Sequence, residues 1–227
     1  MVDRSTTSPQ PEPHPATEEL HRRWCETLIR ARSGATAPPP GPYADRLLAR
    51  WAEPQRHYHS TDHLLNVLDQ VDSLAAHAEQ PDLVRLAAWF HDAVYRPNRS
   101  ENEERSAALA ERALREAGLG ASGVREVVRL VQLTTTHDPR GGDTNGEVLC
   151  DADLSVLGGE PAQYAAYVAA VRAEYSFVPD ADFRTGRAAV LRQLLDMPAL
   201  FRTPGGAGRW ESPARRNMRA ELAVLTP

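Results

Sequence analysis

The sequence has no lysine: all 26 of its basic residues are arginine. Arginine grips phosphate in a bidentate fork, but an alanine-rich chain without lysine is better explained by codon bias, so the absence carries no functional weight. Cysteine is nearly as scarce. Cys25 and Cys150 make no disulfide framework, and a reducing cytoplasm is the expected home. No run approaches the ~18 apolar residues that a membrane-spanning helix needs. Residues 1–16 are rich in proline, serine and threonine without an apolar h-region, so they read as a disordered tail and not as a signal peptide. The net charge of −5 argues against stable nucleic-acid binding. Alternating β-branched segments and internal repeats are both missing, which leaves an all-α fold. A chain of 227 residues can bury a sizeable core, and one helical domain over 17–227 is the simplest division.

Apolar residues recur at helical spacing along most of the chain. The spacing predicts helices over 18–32, 43–51, 61–78, 81–92, 100–117, 124–136, 151–157, 162–175, 182–195 and 213–225. The run Pro38-Pro39-Pro40-Gly41-Pro42 marks a loop over 34–42, and the glycines of 139–146 mark another. Ser60 or Thr61 suits an N-cap, and Ser100-Glu101-Asn102-Glu103 has the spacing of a capping box. Trp24, Trp51, Trp89 and Trp210 read as core, and Cys150 as a small buried hydrophobe.

The segment Leu86 to Tyr95 is apolar at nearly every position until His91 and Asp92. Two strongly polar side chains at the edge of a core need partners, because burying them alone costs several kcal/mol, roughly. A divalent cation satisfies an imidazole and a carboxylate together; a solvent-facing helix end is the other account of the pair. Three further places hold residues of ligand type: His59 and His63 four residues apart, His137-Asp138, and Asp151-Ala152-Asp153. Each has a structural reading as well. His59 and His63 share a helix face, and Asp151 and Asp153 precede a predicted helix, where either would serve as a cap.

The ordered set of motifs is more specific than its parts. It comprises Tyr58-His59-x-x-x-His63, Phe90-His91-Asp92-x-x-Tyr95, Asn102-Glu103-x-x-Ser106-Ala107, Thr134-x-x-His137, Ala152-Asp153-Leu154-x-x-Leu157 and Ala214-Arg215-x-Asn217. In these the chain resembles the HD superfamily of metal-dependent phosphohydrolases, and most closely the subgroup described as predicted HD phosphohydrolases, with the superfamily core at about 56–157. The resemblance implies an all-helical bundle with a metal site among its central helices. His63, His91, Asp92 and Asp153 would be the ligands, suited to Mn2+, Fe2+, Co2+, Ni2+, Zn2+ or Mg2+. His59 matches the general acid of cyclic-nucleotide phosphodiesterases in the same superfamily. Asp151 would be a partner of the ligands or a cap.

Glu103 is the candidate for orienting or deprotonating the attacking water, with the capping-box carboxylate as its other reading. His137 is a candidate substrate contact or ligand to a second metal. Phosphate needs counter-charge beyond the metal, and motif adjacency nominates Arg56, Arg96, Arg99, Arg172 and Arg215. Tyr175 is a candidate to stack on a base or sugar. The expected activity is hydrolysis of a small phosphorylated substrate, a nucleotide or related phosphoester, by metal-activated water. A di-iron oxygenase of HD type and a non-catalytic module stapled by metal are the alternatives, and exposed helical faces leave room for a homodimer.

Overall fold

The computed structural model describes residues 14–32 and 37–226. The tail expected over 1–16 lies outside the described residues as far as 13, and the loop expected over 34–42 lies outside them at 34–36. Among the described residues the chain is all-helical and contains no strand. The helices are α1 (Thr17–Ala31), α2 (Gly41–Trp51), α3 (Thr61–Leu74), α4 (Pro81–Phe90), α5 (Asn102–Glu116), α6 (Ala121–Leu133), α7 (Thr144–Leu154), α8 (Pro161–Glu174) and α9 (Asp180–Asp196). A short α10 (Pro204–Gly206) runs through a π-helical stretch (Ala207–Glu211) into α11 (Ser212–Leu225). No helix among them is long and apolar enough to cross a membrane.

The fold is arranged around α4. Seven of its ten residues, Leu83, Val84 and Leu86–Phe90, are buried, and a helix apolar over most of its surface must be covered on most sides. Its neighbours are α1, α3, α5, α6 and α7. Trp24 of α1 meets Trp89 and Phe90 edge-on, at centroid distances of 5.4 and 5.9 Å. The indole of Trp51 donates to the Trp89 carbonyl at 3.1 Å, which ties α2 to the end of α4. Because α4 ends at Phe90, His91 and Asp92 emerge at the edge of this core and not inside a helix.

A second, smaller core of Leu157, Tyr164, Leu191, Leu200, Phe201, Ala214 and Met218 joins α8, α9 and α11. Trp210 packs against both cores. Asp151, fully buried in α7, fixes the crossing between them. Its carboxylate accepts from the Arg202 and Thr203 backbone amides at 2.8 and 2.9 Å and from the Thr203 hydroxyl at 2.7 Å. Gly206 lies so close that a Cβ there would collide with the same carboxylate.

The structure differs from the sequence expectations in three places. The helix expected over 151–157 begins at Thr144, because Asp143 accepts from the Gly146 amide and caps a turn that its glycine had disguised as loop. Asp151 and Asp153 therefore lie within α7, and neither is an N-cap. The capping box at 100–103 does not form. Helix α5 starts at Asn102, whose side chain turns back onto the Arg96 and Arg99 carbonyls, so Glu103 stands in the first turn without a reciprocal partner. Ser60 precedes α3, but its hydroxyl makes no capping bond.

Asp151→Asn is expected to lower the melting temperature by roughly 2–12 °C. The amide would leave a buried donor unmatched at about 1–3 kcal/mol, and a chain of this size loses about 2–4 °C per kcal/mol. A thermal melt checks it, and a melt indistinguishable from wild type would remove Asp151 from the joint between the two cores.

Candidate metal centre

Three segments bring four side chains together at the end of α4. His63 stands in the first turn of α3, His91 and Asp92 follow α4, and Asp153 lies in the last turn of α7. His63 Nε2 approaches His91 Nε2 at 3.2 Å and Asp153 Oδ1 at 3.2 Å, while His91 Nε2 stands 3.5 Å from the same oxygen. Asp92 Oδ2 lies 3.3 Å from His91 Nε2 and 3.9 Å from His63 Nε2. Both imidazoles are buried.

The chemistry of this set decides what it can hold. His91 Nδ1 donates to the Ala88 carbonyl at 2.8 Å, so in the neutral ring Nε2 carries a lone pair. That lone pair faces a second imidazole nitrogen and two carboxylate oxygens. Acceptors gathered so closely in a buried place repel one another unless a cation lies between them. Ligand atoms about 2.1 Å from a common ion stand roughly 3.0–3.5 Å apart, and most of the separations here match. His63, His91 and Asp153 thus form a group able to hold a metal ion.

The electrostatics lean the same way. Burial opposes charge on Asp92, but His91 and His59 hold its carboxyl well below the ordinary carboxylate range. Burial likewise opposes charge on Asp153, which His91, His137 and His63 more than offset. Burial, reinforced by the neighbouring imidazoles, pushes His63 down. Burial opposes a proton on His91, yet Asp92 and Asp153 raise it well above the usual histidine value. Two ionised carboxylates thus attract positive charge to this spot, as metal ligands must.

His59 sits beside the group, its Nε2 3.8 Å from Asp92 Oδ2 and its ring stacked on Tyr95 at 4.0 Å. Its Nδ1 meets Glu174 Oε2 at 2.7 Å. The other oxygen of Glu174 accepts the backbone amides of His57, Tyr58 and His59, each at 2.9 Å. This last residue of α8 thereby fixes both the loop and the tautomer of His59. Burial opposes its charge, but the hydrogen bond from His59 brings it down to about 2. Sequence reasoning missed Glu174. The signal was helical phase: Tyr164, Val171 and Glu174 share the buried face of α8, and a carboxylate on such a face needs a partner.

No family model, curated protein or solved structure matches the chain. Geometry and chemistry alone therefore define the site.

A cavity of about 600 Å3 opens from the cluster. His59, Glu103, His137 and Tyr175 all line it, together with His91, Asp92 and Asp153. His137 adopts a left-handed backbone, φ 51°, which costs free energy for a residue with a Cβ. Its Nε2 meets Asp153 Oδ2 at 2.7 Å, leaving Oδ1 toward His63 and His91.

The arginines nominated from motif adjacency do not line this cavity. Arg56 is buried, its guanidinium donating to the carbonyls of His59, Asp92 and Ala93 at 3.0, 2.8 and 3.3 Å. It clamps the His59 loop to the His91-Asp92 turn. Arg172 donates to the Tyr175 and Val178 carbonyls and to Asp180, and Arg215 to Glu211 and the Leu195 and Met197 carbonyls. Arg96 is exposed on the turn that Asn102 organises. Unpaired carbonyls at helix ends and turns recruit guanidinium groups as readily as phosphate does, and sequence alone does not distinguish the two uses.

Proposed function

We propose that the chain is a metal-dependent phosphohydrolase of the HD type acting on a small phosphate ester. The observation that carries the reading is the close grouping of His63, His91 and Asp153, with Asp92 beside the two histidines, at a cavity that His59, Glu103 and His137 also line. These four would hold a divalent ion, the nitrogen-and-oxygen donor set suiting Mn2+, Fe2+, Co2+, Ni2+ or Zn2+ more than a thiophilic metal. Such an ion supplies Lewis acidity toward a phosphoryl oxygen and lowers the pKa of water at the site.

The protein's own groups do the rest. Glu174 accepts the His59 Nδ1 proton in a hydrogen bond, and in the imidazolium form the second proton, on Nε2, is the one given to the departing ester oxygen, leaving the neutral Nδ1–H ring. Glu103, which lines the same cavity, takes a proton from the incoming water. His137, held by Asp153, contacts a phosphoryl oxygen. Free Cys25 and Cys150 fit a reducing cytoplasm.

The test is phosphate release from a panel of nucleotides and simple phosphate esters with Mn2+, Co2+ or Mg2+, run beside Asp92→Ala protein. Turnover in wild type that falls at least ~100-fold in the variant supports the reading. Silence across the panel in a protein that holds metal would overturn it in favour of an oxygenase or a non-catalytic module.

A further inference from the structure

The cavity wall beyond the polar cluster is mostly apolar. Leu154, Val156 and Leu157 end one side, while Val171 of α8 and Phe183 and Leu194 of α9 form the other. The apolar lining continues outward to Val190, 47 % exposed, and Phe177, 59 % exposed, stacks on the lining residue Tyr175 at 6.1 Å. The lining charges are mostly negative: Asp92, Glu103, Asp153 and Asp182. One guanidinium, Arg187, lines the space, and it is already matched. It forms a bidentate pair with Glu221 at 2.8 and 3.0 Å and donates to the Tyr167 hydroxyl at 3.0 Å. Arg172 of α8 is turned to Asp180 and to two carbonyls.

A nucleoside di- or triphosphate brings several negative charges, and each phosphoryl group needs charge-assisted donors when it leaves water. Beyond the polar cluster this wall offers Asp182, hydrocarbon and the hydroxyls of Thr134, Tyr167 and Tyr175, and its one guanidinium is already paired. A cavity of about 600 Å3 is nevertheless far larger than one phosphoryl group and lies within the usual range for a small-molecule site. We infer that the site takes a phosphomonoester with an apolar body, an alkyl or aryl phosphate, and discriminates against nucleoside polyphosphates. This narrows the substrate class of the phosphohydrolase reading and rests on it for the phosphate end, held at the metal group, while the preference for an apolar body stands on the cavity lining.

The test separates the two. Binding of methyl-, propyl-, hexyl- and phenylphosphonate and of ADP is measured by calorimetry on the full chain, with and without Mn2+, and the matching esters are assayed for phosphate release. The dissociation constant should fall with chain length, about fourfold for each methylene that becomes fully buried. ADP should bind more weakly than hexylphosphonate. Val190→Asp, at a half-exposed position where folding is not at stake, should flatten the dependence on chain length. Affinity independent of chain length, or ADP binding more tightly than hexylphosphonate, overturns the inference. Nucleotides hydrolysed faster than every alkyl ester would overturn it too and leave the phosphohydrolase reading standing. Chain-length-dependent binding with no ester hydrolysed supports the apolar-anion site and removes the phosphohydrolase reading.

Discussion

His91→Ala protein will gain less than about a third of the wild-type rise in melting temperature when divalent metal is added. Wild-type protein, at free metal a thousandfold above its dissociation constant, gains about 4 kcal/mol. For a chain of this size that is a rise of roughly 8–16 °C. His91 Nε2 is the atom nearest the centre of the group, within 3.5 Å of His63 Nε2, Asp92 Oδ2 and Asp153 Oδ1. Its loss removes one ligand and should weaken binding more than the roughly 10–100-fold seen when a ligand's outer partner is removed. His77 makes the proper control, because it pairs with Glu147 at 2.6 Å, outside the ligand group. His77→Ala should keep the metal-dependent rise. A full rise in the His91 variant would show that the ion binds elsewhere or that His91 is no ligand.

Glu174→Gln should reduce turnover of alkyl phosphates by about 100-fold or more while metal content stays at the wild-type level. A general acid contributes roughly 10^2–10^4 to rate, and Glu174 is what aims His59. It touches no ligand directly; its four partners are the His59 ring and three consecutive backbone amides. A positioning role predicts a selective loss. Esters with poor leaving groups need the proton and should suffer most, whereas a nitrophenyl ester leaves without it and should be nearly spared. An equal loss on both, or a loss of metal, would make Glu174 a structural support of the loop alone.

The elements that could be read from sequence are those whose causes are local. The last five residues of helix α4, Leu86–Phe90, are apolar without a break, so its burial and the exit of His91 and Asp92 at its end were visible in one decapeptide. The residues that come together in the metal group, His63, His91 and Asp153, belong to short motifs that each stand at a helix start or end. What stayed hidden depends on partners far apart in the chain. Glu174 meets His59 across 115 positions, and Arg56 meets Asp92 across 36. No local pattern tells a guanidinium bound to carbonyls from one waiting for phosphate. The start of α7 was hidden for a different reason: Asp143 and its pair with Arg129, at 2.6 Å, stabilise a glycine-bearing first turn that propensity disfavours.

The most direct measurement is elemental analysis of the purified wild-type chain after incubation with Mn2+ or Zn2+, joined to an anomalous-scattering map of its crystals. Bound metal is expected, with an anomalous peak between His63, His91 and Asp153. A chain that binds no divalent metal, or a peak away from those three side chains, would contradict the metal assignment.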